Sequence, residues 1–255
     1  MRDQLSLRLE PEIATLPNLP DGLRPMLPRP AGEPFDSAAH LFEPAWGGLR
    51  ALAFVGPADA PGDGTVRIID GHGRNVGGTL PELAGMAVRI EARSAVLDGE
   101  LVAVDDSGRA DNAELERRIA GRPGRAVAYL AFDLLHIDGR SLLTTPLHRR
   151  RELLKAILHP GDEVVAVPAI AAEGRALHDA ATAQGISGVL ARQRSSPYLP
   201  GVTSRLWLFV PVSPVHPAAR PAQPTPTLAV HEDHAPTAAA PVLALISRLP
   251  LLFDE

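Results

Sequence analysis

Seven short apolar or alternating runs set the fold class: Arg50–Val55, Thr65–Ile69, Val96–Val104, Val127–Leu135, Glu163–Val167, Gly188–Gln193 and Leu206–Val212. Their length and their Gly-rich flanks predict strands rather than helices. PADAPGDG at 57–64 has the Pro, Gly and Asp content of a hairpin connection. Three helical patterns interleave. Asp111–Ala120 opens with Asp111 as N-cap and Glu114 three residues on, a capping-box pattern. Leu147–Leu158 places Leu147, Leu154 and Leu158 on one side, with Leu153 and Ile157 beside them; His148, Glu152, Lys155 and His159 follow the opposite side. Arg175–Gln184 stops at Gly185, the residue best suited to a left-handed C-terminal turn. Short strands, mostly antiparallel, with helices between them predict an α+β fold.

The pattern ends near residue 212. Residues 1–35 contain several prolines and little periodicity and are expected to form an extended lead-in. From Ser213 the chain is Pro- and Ala-rich, a composition without the apolar period that a core requires. The expected organisation is a lead-in at 1–23, a folded unit at 24–212, a disordered linker at 213–240 and a short apolar segment at 241–255. That last segment is interrupted by Pro250 and is expected to dock on the body or on a partner. The tail histidines His216, His231 and His234 suggest a weak metal site, with a solvated linker as the plainer reading. No run of about 18 apolar residues exists, so no membrane span is expected. The opening MRDQLSLRLE lacks a basic stretch followed by an apolar one, so a cytoplasmic location is expected. The absence of cysteine removes disulfides, thiolate nucleophiles and cysteine metal sites together.

Lys155 is the only lysine among 25 Lys and Arg residues, and the helical pattern puts it on a solvent face. The net charge of −5 lowers the expectation of extended nucleic-acid contact, because that affinity comes largely from phosphate neutralisation. Arginine enrichment alone has a bland cause in codon drift, so the positions of the missing lysines carry more information than their number.

Four segments are read as site-forming loops: FEPAWGGLR at 42–50; IIDGHGRN at 68–75; VLDGELVAVDDSGRAD at 96–111 with YLAFDLLHIDGR at 129–140; and GISGVLARQRSSPYLPGVTSRLWLFV at 185–210. Together with RPML at 24–27, and in this order and spacing, they resemble the adenylation (nucleotidyltransferase) domain of ATP-dependent DNA ligases, especially the bacterial ligases of end-joining repair. The resemblance covers roughly residues 24–212. It implies an ATP-grasp-like nucleotidyltransferase fold of antiparallel sheets flanked by helices, with ATP and Mg2+ as cofactors and DNA as substrate. The residues themselves assign no cofactor. The Pro/Ala-rich tail does not read as the OB-fold domain that such ligases append, so a chain without that domain is expected.

The departures from the family phrases fall on the chemistry. The family's KxDGxR supplies a lysine that attacks the α-phosphate of ATP, covalent catalysis by an amine. Here the lysine position is Ala45 and the aspartate is Gly47, while Gly48 and Arg50 remain. The arginine of the second motif corresponds to Gly71, and its role does not pass to Arg74. LDGE keeps Asp98, Gly99 and Glu100, the glutamate facing ribose or metal. Phe132 matches the ring that stacks on adenine, although fold maintenance accounts for it as well. In the last region the acidic residue is Ser187, one lysine is Arg192, and the two closing lysines are Phe209 and Pro211. Codon drift would leave arginine at each lysine position, and only Arg192 fits. Arginine's planar fork is not a compact ammonium, and losing one such electrostatic group costs about 10²–10³ in rate. The reading is a catalytically inactive, ligase-like pseudoenzyme with a binding or scaffolding role in DNA repair or end joining. Its vestigial nucleotide contacts are Arg50, Glu100, Phe132 and Arg192, and DNA or repair proteins are its partners. Two alternatives stay open: an active ligase or nucleotidyltransferase using His72 or His136 as nucleophile, and a non-catalytic adenine-nucleotide sensor.

Overall fold

The periodic runs become strands of two sheets in a computed structural model, which describes residues 16, 18–105 and 108–212. The elements in chain order are β1 (Leu27–Pro30), β2 (Ser37–Ala45), β3 (Leu49–Val55), β4 (Val66–Asp70), β5 (Ala95–Ala103), α1 (Asn112–Ile119), β6 (Val127–Ile137), β7 (Arg140–Ser141), α2 (Leu147–Ile157), β8 (Val164–Ala166), β9 (Ile170–Ala172), α3 (Gly174–Gln184), β10 (Gly188–Gln193) and β11 (Thr203–Pro211). Two 3-10 segments, Gly77–Thr79 and Pro81–Arg89, lie between β4 and β5. One sheet has the order β1-β11-β10-β2-β9; the other has the order β4-β3-β5-β6-β7, with β8 beside β6. The β1–β11 and β6–β8 pairings are parallel and the rest antiparallel, so the α+β expectation holds. The linker at 213–240, the segment at 241–255, the tail histidines and most of the lead-in lie outside the described residues.

Strand alternation gives the second sheet two buried faces. On β3, Ala51, Ala53 and Val55 face a core shared with the 3-10 segments, α1 and α2, while Leu52 and Phe54 join Met26, Tyr198 and Trp207. On β5, Leu97, Leu101 and Ala103 share the first core, whereas Val96 and Val102 look toward the first sheet. A cluster containing Phe42, Val102, Leu130, Phe132, Leu177 and Val189 binds the sheets together across that interface. Asp98 and Glu100 have the same parity as Val96 and Val102, so they too are placed between the sheets.

The helices form where the sequence predicts. The Asp111 side chain accepts from the Glu114 backbone N–H at 3.0 Å and caps α1, and Gly185 adopts φ +69° to end α3. Along α2, Leu147 and Leu154 are fully buried and Lys155 is exposed. Three expectations are corrected. Phe42–Ala45 is not loop but the buried end of β2, leaving only Trp46–Gly48 as the turn into β3. Of the two readings of 129–140, strand to Leu135 and site-forming loop, the strand holds and β6 runs on to Ile137. The strands β1, β2, β7 and β9 escape the periodicity reading because they are short, exposed on one flank or interrupted by proline. Pro28 and Pro30 are tolerated in β1 because it lies at a sheet edge, where a missing N–H breaks no ladder.

Leu154→Ala is expected to lower stability by about 2–5 kcal/mol in urea unfolding, because it empties a fully enclosed site. Lys155→Ala is expected to change it by no more than about 0.5 kcal/mol.

Candidate functional site

A register shift on β6 builds the centre of the inter-sheet space. Asp98 is opposite Asp133 and Gly99 is opposite Ala131, so Phe132 is the extra residue of a β-bulge. A bulge re-aims side chains. Ala131 and Leu134 keep to the first core, while Phe132 packs toward the other sheet and Asp133 bonds to a residue of it.

Asp133 and Glu43 anchor three buried arginines. Arg150 of α2 makes a two-pronged pair with Asp133, both N···O distances 2.8 Å, and donates to the carbonyls of Thr145 and Ser196. Arg192 of β10 lies 2.6 Å from Glu43 and 3.3 Å from Asp133, and donates to the Phe132 carbonyl at 2.7 Å. Arg151 pairs with Glu43 at 2.5 Å and donates to the carbonyls of Phe132 and Val167. All five side chains are 5% exposed or less. Three cations face two carboxylates, and four carbonyls supply further acceptors, while Arg192 Nε has no hydrogen-bond partner. Burial first, and then the like charge of Arg192, depress the Arg151 guanidinium against the pull of Glu43.

A second network lies beside the first. Arg50 and Glu100 are opposite each other on β3 and β5, and Arg50 grips Asp98 at 2.7 and 2.9 Å. The Tyr198 hydroxyl donates to Asp98 at 2.8 Å and accepts from the Met26 N–H. Burial alone would lower Arg50, but Asp98 holds it above its ordinary value. Burial pushes the Asp98 carboxyl up, against Arg50 and Tyr198. Burial also raises Glu100, opposed by Arg50 and by the backbone N–H groups of Gly48, Trp46 and Gly47, which point at its carboxylate. Glu100 therefore lies against the β2–β3 turn.

That turn has closed on the strand opposite. Ala45 is buried and pairs with Gly188 of β10. Gly47 has φ +80°, and a Cβ built there would lie 2.3 Å from Ser187 Oγ, which donates to the Trp46 carbonyl at 2.8 Å. Trp46 is buried in the inter-sheet cluster, and Phe209 covers Gly188 so closely that a Cβ there would lie 2.5 Å from its ring. Beyond the turn an open cleft of about 630 Å³ remains, with Gly47, Gly48 and Leu49 on one wall and Leu115 and Ile119 of α1 on the other.

The structure brings together Arg50, Glu100, Phe132 and Arg192, all chosen from sequence. The Arg50 and Arg192 guanidinium carbons lie 4.6 and 5.0 Å from the Phe132 ring centroid. His136, four residues along β6 from Phe132, is roughly 13 Å away by strand rise. His72 sits in the exposed turn after β4. Glu43, Asp133, Arg150, Arg151 and Tyr198 are parts of the site that sequence reasoning missed. Consecutive arginines in a helix read as solvent-facing, and the only available signal was that Arg150 and Leu154 share a side at i,i+4 spacing. Among the described residues, no three His, Cys, Asp or Glu side chains gather as a set able to hold a metal ion.

Asp133→Ala leaves Arg150 and Arg192 buried without their carboxylate and is expected to destabilise by about 3–5 kcal/mol in denaturant titration. Glu152→Ala, which breaks the exposed Arg149 pair, is expected to leave the denaturation midpoint almost unchanged.

The comparisons with known proteins bear on the same region. The family model described as ATP dependent DNA ligase domain matches residues 33–210. The chain is 34% identical over 167 residues to the multifunctional non-homologous end joining DNA repair protein LigD of Mycobacterium tuberculosis, covering 66% of this chain and 21% of that protein. It is 25% identical over 187 residues to the SPbeta prophage-derived DNA ligase-like protein LigB of Bacillus subtilis, covering 73% of this chain and 66% of that protein. Thus the matched part spans about a fifth of the LigD relatives' length. Among solved structures it is similar to mycobacterial DNA ligase D complexed with ATP and MES, with a TM-score of 0.62 and 29% identity over 74% of this chain and 60% of that one. The ligase domain of M. tuberculosis LigD gives a TM-score of 0.61 at 29% identity, covering 73% and 58%. Since the match takes in both sheets and the turn between β2 and β3, this chain belongs to the ATP-dependent DNA ligase domain family and is related to the LigD end-joining ligases.

Proposed function

We propose that this chain is a non-catalytic member of its family, a pseudoenzyme that keeps the adenylation fold as a binding or scaffolding unit. The observation that carries the reading is the repacked β2–β3 turn. The nucleophile position is a buried alanine, and the two positions where the family phrases carry acids, 47 and 187, are a glycine and a serine in mutual contact. An amine nucleophile has no counterpart at Ala45. The residues that would meet ATP and Mg2+ do not fit that task. Ser187 Oγ is bound to the Trp46 carbonyl, and Phe209 and Pro211 carry no positive charge.

Repair by end joining is the setting that the LigD relatives' names suggest, and DNA or repair proteins are the partners that go with it. The unit that would act there is residues 24–212. A relocated nucleophile is the weaker reading: neither His72 nor His136 stands at the family's nucleophile position, which is Ala45, and His136 lies on β6 in the other sheet from Ala45.

Incubation of the full chain with labelled ATP and Mg2+ is expected to leave no covalent AMP on the protein, and purified protein is expected not to seal nicked DNA. Ala45→Lys should also fail to form the adduct, because it returns the amine without the acids or the closing cations. An acid-labile adduct on the wild-type chain would overturn the proposal, and its loss in His72→Ala would identify the nucleophile.

A further inference from the structure

Arg192 differs from the other vestigial positions, because its side chain has replaced a compact cation with a flat one. Its guanidinium carbon lies 5.0 Å from the Phe132 ring centroid and 4.8 Å from that of Trp207. Its edge donates to Glu43 and to the Phe132 carbonyl, and Asp133 lies 3.3 Å from the same group. The side chain is wholly buried. A plane held near two aromatic rings, with hydrogen bonds along its rim, is how a protein binds a planar heterocycle. Here the plane belongs to the chain. A lysine would not do this, since an ammonium has no face to stack and cannot reach two carboxylates and a carbonyl in one plane.

We infer that Arg192 is an internal ligand that occupies the stacking slot between the two sheets, so that the fold is completed without an adenine nucleotide. The inference rests on the degenerate-site reading and sharpens it, because it excludes the nucleotide-sensor alternative. The slot's chemistry is two aromatic rings with two carboxylates, Glu43 and Asp133. That environment selects a planar guanidinium or amidinium cation and disfavours a polyanionic nucleotide. The Arg50 guanidinium, 4.6 Å from the same Phe132 ring, crowds that ring further.

The test uses thermal melting of the full chain. Wild type is expected to show no shift with millimolar AMP or ATP. Arg192→Ala should melt several degrees lower and should recover part of that loss with millimolar ethylguanidinium, but not with butylammonium or AMP. Arg192→Lys, which keeps the charge and loses the plane, should also melt below wild type. It keeps the test decisive if the alanine variant does not fold. A wild-type melting point raised by AMP or ATP, with the rise abolished by Phe132→Leu, would overturn the inference. So would an Arg192→Lys variant as stable as wild type. Nucleotide binding without a covalent adduct would sink this inference and leave the proposed loss of catalysis standing, whereas an adduct would sink that proposal.

Discussion

Everything between the two sheets is arranged around the carboxylates of Glu43 and Asp133 and the three arginines they hold. Each of those charges would be costly to bury alone, and each has its partner within hydrogen-bond reach. The cluster draws on β2 and β10 from one sheet, on β6 from the other and on α2 from outside both. Apolar packing brings the sheets together but tolerates many arrangements of similar volume. Charges of fixed geometry tolerate few, so the cluster fixes how the sheets meet.

The β-bulge at Phe132 makes that arrangement possible. Without the extra residue, strict alternation would turn Asp133 toward the first core, away from Arg192. With it, an aromatic ring and a carboxylate lie side by side on one face of β6. The same local irregularity therefore supplies both the stacking surface and its counter-charge. In a ligase-like frame such a pairing suits a bound base. In this chain it suits an arginine side chain.

The β2–β3 turn shows how the loss of chemical groups is coupled to packing. Replacing an acid by Gly47 allows φ +80° without strain and opens space that Ser187 then fills. Glu100 faces Arg50 and the backbone N–H groups of the turn. A side chain restored at position 47 would meet Ser187 Oγ, which lies 2.3 Å from where its Cβ would be. The cleft along α1 remains outside the closed region, and the open surface that the fold presents there belongs to the turn and the helix.

Sequence by itself determined the element types wherever a period was strong: the strands carrying LDGE and AFDLLHI, the Asp111 cap and the Gly185 stop are local matters of backbone and burial. By resemblance it also put Ala45, Gly47, Ser187, Phe209 and Pro211 at the family's chemical positions, and the proposal of a non-catalytic unit starts from them. The tertiary structure alone decided what took their place. Glu43, Arg150 and Arg151 carry no signal of burial along the chain and become core only because β2, β10 and α2 meet β6. Arg192 read as a surviving cation and is a buried guanidinium close to two aromatic rings, with its two terminal nitrogens paired. The reason is physical: the arginine–carboxylate hydrogen bonds of this cluster join residues from 17 to 149 positions apart, and no local period records such distances.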